Sequence, residues 1–274
     1  MNKIFTFMLL MLLSFPALAA DTESAYDRVM RTGVIKCGYY PWPPYFDVDA
    51  NTGDVTGLNA EYARAAGDLL GLKIEFVQMS AIGMQVEELK KGIYDTFCID
   101  SYYVFSSLKF VDFGTPYMFA PVFAYVREDD NRFKSLDDLN QDNIQFVGID
   151  GDLSVELVAK RFPNAQVTTL PATAAGSELM INVSTKKADV SIIDPGIVDA
   201  YNSNNQSKMK IVDPDHPVAV YPISFSVKKG ETELLKMLDG AVSALQNTGV
   251  TENILKKYNL PADSVYLPAT PYKK

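Results

Sequence analysis

The chain has 274 residues, 47% of them hydrophobic, and a formal net charge of −9. An acidic surface disfavours nucleic acid and anionic membranes as partners, and one histidine, His216, with two cysteines and no CxxC spacing disfavours a metal centre. The length exceeds one typical domain of ~100–150 residues and predicts two lobes.

In chain order, MNKIFTFMLLMLLSFPALAA opens with Lys3, an apolar run over 4–13 and the small-x-small pattern Ala17-Leu18-Ala19. It reads as a secretory signal peptide over residues 1–19, too short for the roughly 18–20 apolar residues of a membrane span. With no cysteine at the cleavage site, a free periplasmic protein is expected. Loss of Lys3 would take the net charge to −10.

Apolar runs recur at 34–37, 74–77, 97–99, 146–149 and 190–193. Continuous rather than alternating hydrophobicity suits strands buried on both faces, as in parallel sheets. Between them the spacing predicts helices over 59–70, capped by Asn59 and stopped by Gly71, then over 81–91, 153–162, 176–186, 231–245 and 251–258. Alternating strands and helices give an α/β class with ligands at the carboxyl ends of strands. The strand-helix-strand rhythm occurs before Tyr117 and again after Ser135. Two extended crossings, PYMFAPVFAYVREDDNRFKSLDDL and VAVYPISFSVKKGE, join the two units, which predicts a bilobal clamp. The tail, 261–274, is expected to be a surface strap or disordered. Cys37 and Cys98 sit in apolar strand-like runs and are either a disulfide, if their strands are neighbours, or two buried thiols.

Several segments resemble the family 3 extracellular solute-binding proteins, the amino-acid type receptors of ABC importers. They are GVIKCGYYPWPPYFDVDANTGDVTGLNAEYARAAGDLLG, LKKGIYDTFCIDSYYVFSSLKFVDFGTPY, FKSLDDLNQDNIQFVGIDGD, KKADVSIID and YPISFSVKKGETELLKMLDGAVSALQNTGVTENILKKY. Their order covers roughly residues 27–260. The resemblance implies a type II periplasmic-binding-protein fold, with two parallel-type sheets flanked by helices. Lobe one would combine 27–117 with 227–260, lobe two would be 125–220, and 117–126 with 220–227 would form a two-stranded hinge. It also implies a monomer without cofactor, a small-molecule ligand and the membrane permease of an ABC transporter as partners.

Carried over by position, the resemblance places Trp42 of PWPPY over the ligand, with Tyr45 beside it, and makes Asp194 the acceptor for a ligand α-amino group. The family's carboxylate-binding arginine stands five residues before the aspartate of its V-D-F segment. Here that position is Ser107, which lacks the planar fork of arginine. In GIDGDLS, Ser154 keeps a hydroxyl at the matching anion site, while Asp152 can cap the following helix with its own carboxylate. Asp100 and Tyr102 are expected to face the cleft, whereas Phe97, Cys98 and Ile99 should be core and Phe110 and Phe113 should pack within the lobe. Acidic groups beside aromatic faces suit a cation better than a zwitterion. The expected ligand is therefore an amino acid or, by this pocket chemistry, an amine without the usual carboxylate. Rival readings are a sensory or accessory binding protein and an enzyme like cyclohexadienyl dehydratase, which resembles this fold; no catalytic residue is assigned.

Overall fold

The computed structural model describes residues 23–98, 107–260 and 264–268. The expected signal peptide lies outside the described residues, as do Ile99, Asp100 and Tyr102.

In chain order the first lobe holds α1 (Ala25–Thr32), β1 (Val34–Tyr39), β2 (Asp47–Val48), β3 (Val55–Thr56), α2 (Leu58–Leu70), β4 (Lys73–Gln78), α3 (Gln85–Lys90), β5 (Thr96–Cys98) and β6 (Val111–Phe113). The long strand β7 (Met118–Arg127) crosses to the second lobe. There follow a 3-10 turn (Leu136–Leu139), β8 (Gln145–Ile149), α4 (Leu153–Arg161), β9 (Gln166–Leu170) and α5 (Gly176–Ser184). That lobe is completed by β10 (Val190–Ile193), α6 (Pro195–Asn204), β11 (Met209–Ile211) and β12 (Ala219–Ile223). The chain returns through β13 (Phe225–Lys228) and ends with α7 (Thr232–Asn247) and α8 (Val250–Tyr258) on the first lobe.

Both large sheets mix parallel and antiparallel pairs, and β2 and β3 form a small antiparallel pair of their own. In the first, ordered β4-β1-β5-β13-β6, β1 runs parallel to β4 and β5, while β13 is antiparallel to β5 and β6. In the second, ordered β11-β7-β10-β8-β9, β8 is parallel to β9 and β10, and β7 is antiparallel to β10, β11 and β12. Parallel pairs occur where a helix carries the chain back across the sheet, as a parallel connection requires. The crossing strands enter each lobe from the other one and run the opposite way, so the sheets are mixed rather than purely parallel. Ser224 separates β12, paired in one lobe, from β13, paired in the other.

Burial follows the apolar pattern. All four residues of β10 are buried, and its one polar side chain, Ser191, donates to Val147 O at 3.2 Å. Along α7, Leu234, Leu238, Ala241, Val242 and Leu245 form one buried stripe at helical spacing.

Some expectations are corrected. Asn59 does not cap α2; Gly57 does, and Asn59 is buried in the first turn, where its Oδ1 accepts the Tyr117 hydroxyl at 2.5 Å. Tyr117 also stacks on Tyr62 with ring centroids 4.0 Å apart, which anchors the start of the crossing strand on α2. The helix expected over 81–91 is confined to Gln85–Lys90, and α1 and β9 are additional elements. In the tail, Tyr266 exchanges both backbone hydrogen bonds with Phe119, at 2.7 and 2.8 Å, so 264–268 lies along the crossing strand.

Candidate functional site

A cavity of about 510 Å³ separates the lobes. Its walls are largely apolar, with Met79, Val86 and Phe97 from lobe one facing Leu157, Leu179 and Ile192 from lobe two. No lysine or arginine is among its described lining residues.

Lobe two offers its strand ends to this cavity. β8 and β10 lie side by side and parallel, and each is followed by a helix whose N-cap is an aspartate. After β8, Asp152 Oδ1 accepts Ser154 N at 2.7 Å and starts α4. After β10, Asp194 Oδ1 accepts Ile197 N at 3.2 Å and starts α6, with Pro195 at its first position, where a missing N–H costs nothing. Both caps follow from an aspartate in extended conformation before an apolar helix.

Lobe one delivers Trp42 across the gap. Trp42 N donates to Phe46 O at 2.8 Å, which closes the Pro-rich turn and aims the ring outward. Its Nε1 donates to Asp194 Oδ2 at 2.8 Å, and the Tyr45 hydroxyl lies near the same carboxylate. The indole lies against Gly176 at the start of α5, where a Cβ would come within 3.0 Å of the ring. Trp42 is only 8% exposed and Asp194 only 1%. Two further contacts close the rim. Ile82 N donates to Ala172 O at 2.9 Å, and Gly83 touches Gly151, where a Cβ on Gly151 would sit 2.9 Å from Ile82 O.

The expected site residues are placed as follows. Trp42, Ser107, Asp152, Ser154 and Asp194 line the cavity; Tyr45 lies behind it, against Asp194 and Gly196. Asp100 and Tyr102 lie outside the described residues. Ser107 is buried in the wall, at the place where the resemblance implies an arginine. Phe110, expected to pack inside the lobe, is 39% exposed and lines the cavity, with the Lys90 and Lys109 ammonium groups 4.2 and 4.9 Å from its ring centroid. Lining residues that carried no sequence signal include Tyr40, Gln85, Glu156 and Tyr221. Cys37 and Cys98 occupy neighbouring strands, with Cα atoms 5.4 Å apart, and are joined as a disulfide.

Burial pushes the Asp152 and Asp194 carboxyls above their ordinary value of 3.8, opposed at Asp152 by Ser154 and at Asp194 by Trp42 and Ile197. The folded protein therefore holds protons there that the unfolded chain has lost. Each carboxyl stabilises the ligand-free fold fully below 3.8, and that contribution disappears as pH rises through the raised value. The expected result is that the melting temperature of wild type relative to Asp152→Asn falls as pH rises from 3.8. A difference independent of pH would mean that Asp152 is not held above its ordinary range. Removing the indole donor in Trp42→Phe should cost about 1.5–3 kcal/mol, the usual worth of a hydrogen bond to a charged group. A melting temperature unchanged from wild type would show that the contact is not formed in solution.

The model of the bacterial extracellular solute-binding proteins, family 3, matches residues 35–261. A probable amino-acid ABC transporter-binding protein of Haemophilus influenzae is 24% identical over 235 residues, covering 83% of this chain and 85% of the relative. Among solved structures, the cysteine-binding protein of Campylobacter jejuni superposes with a TM-score of 0.73 at 21% identity, covering 90% of this chain and 100% of that one. An ancestral amino acid-binding protein described as a precursor of cyclohexadienyl dehydratase gives 0.73 at 24% identity, covering 86% and 99%. At these identities the structural likenesses establish the bilobal type II fold.

Proposed function

Because this chain belongs to the bacterial extracellular solute-binding proteins of family 3, we propose that it captures a small amine without an α-carboxylate between its lobes. It then presents the closed form to the permease of an ABC importer. Residues 1–19 would direct it to the periplasm. The observation that carries this reading is the cavity lining, with carboxylates at the strand ends, apolar walls, and no described cation to neutralise a ligand carboxylate. An α-amino acid would bring its own anion into this space, where a charge left unpaired costs several kcal/mol.

The relatives named as amino-acid binders set the default against which this reading stands. Conversion to a dehydratase-like reaction is not proposed. Asp194, one of two carboxylates such chemistry could use, is engaged by Trp42 and by its own helix.

The test is a thermal-shift comparison on protein unfolded and refolded to strip any carried-over ligand. Common amino acids are set against primary amines and quaternary ammonium compounds. A ligand at a hundred times its Kd stabilises by about 2.7 kcal/mol, or roughly 5–10 °C for a chain of this size. Amines alone should produce such shifts. Shifts with amino acids alone would replace this reading with ordinary amino-acid binding.

A further inference from the structure

The two carboxylates at the strand ends are not equivalent. Asp194 is 1% exposed and receives hydrogen bonds from the Trp42 indole and the Ile197 amide, with the Tyr45 hydroxyl close by. Its bonding capacity is largely used inside the protein, and one of its donors reaches it from the opposite lobe. Asp152 lines the cavity and is half-buried, and its carboxylate is held within its own helix start, by the amide and the hydroxyl of Ser154, with no donor from the opposite lobe among the described residues. Glu156, one turn further along α4, lines the same wall, and the Tyr221 hydroxyl lies within the field of both carboxylates. A bare helix start attracts anions. Here the aspartate cap occupies that position with its own charge, and a second carboxylate follows, so the local preference is reversed.

We propose, resting on the amine reading above, that the ligand's positive charge is held at the start of α4 by Asp152, while Asp194 acts as an interlobe latch closed by Trp42. The polarity of recognition is thereby inverted, with the cation where a zwitterion's carboxylate would be received. The apolar surfaces of Met79, Val86, Phe97, Leu157 and Ile192 hold the remainder of the ligand. The ligand class is a primary or quaternary amine on an alkyl or aryl body, without a carboxylate.

The experiment is calorimetric titration of stripped protein with phenethylamine and with phenylalanine, on wild type, Asp152→Asn, Asp194→Asn and Trp42→Phe. Asparagine caps a helix about as well as aspartate, so the charge is removed while the helix start is kept; Asp152→Ser, another capping residue, is the second variant at that position. Phenethylamine affinity should fall at least tenfold in both Asp152 variants. In Asp194→Asn it should fall no further than in Trp42→Phe, since asparagine keeps a carbonyl acceptor for the indole whereas Trp42→Phe removes the donor. Wild-type affinity retained by the Asp152 variants would overturn this inference and leave the amine reading standing, as would a loss confined to Asp194→Asn. Failure of wild type to bind phenethylamine would overturn both.

Discussion

Removing the Cys37–Cys98 bridge should lower the melting temperature by roughly 8–16 °C. The two cysteines are 61 residues apart in sequence, and closing a loop of that length removes about 4 kcal/mol of chain entropy from the unfolded state. At about 2–4 °C per kcal/mol for a chain of this size, the shift follows. Both side chains are fully buried, so the comparison is best made between oxidised and reduced wild type, with Cys37→Ala/Cys98→Ala as the covalent control. The bridge also ties β5 to β1 beside Phe97, which lines the cavity. Ligand affinity should therefore fall on reduction along with stability. Oxidised and reduced proteins melting within 2 °C of each other would show that the bridge contributes little constraint.

Gly151→Ala should weaken ligand binding by roughly 5- to 150-fold while leaving each lobe folded. At the cleft rim, Gly151 and Gly83 meet with positive φ of 80° and 84°, and a Cβ on Gly151 would lie 2.9 Å from Ile82 O and 3.2 Å from Gly83 Cα. These neighbours are backbone and cannot swing aside as a flexible side chain would. Overpacking of this kind costs about 1–3 kcal/mol, and here the cost falls on closure. Apparent affinity drops in proportion to the fraction of protein that can close. Calorimetry gives the affinity, and circular dichroism checks that the variant is folded. An affinity within twofold of wild type would mean that ligand binding does not require these rims to meet.

Much of the scaffold was legible because burial writes itself into local pattern. The run Val190–Ile193 is apolar but for Ser191, and it is the strand between β7 and β8 with all four residues buried. The helix expected over 81–91 begins only at Gln85, because Ile82 and Gly83 ahead of it line the cavity and meet the opposite lobe, to which Ile82 is hydrogen-bonded. Asn59 is a good capping residue by type, but the buried Tyr117 hydroxyl claims its side chain.

The site was legible residue by residue and not as an arrangement. Trp42 and Asp194 could each be singled out from the family resemblance, but they are 152 residues apart, and no local pattern records that one donates to the other. Gln85 and Tyr221 enter the cavity through α3 and the crossing strand β12, where nothing in their neighbours marks them. Asp152 was legible as a cap because its own segment contains the helix it starts.

Binding of leucine against isoamylamine, which differ by the carboxylate alone, tests the inverted cleft most directly. Calorimetry on stripped wild-type protein should show isoamylamine binding at least tenfold more tightly than leucine. Leucine binding more tightly than isoamylamine would contradict it, and would mean that a group within the cleft receives the carboxylate after all.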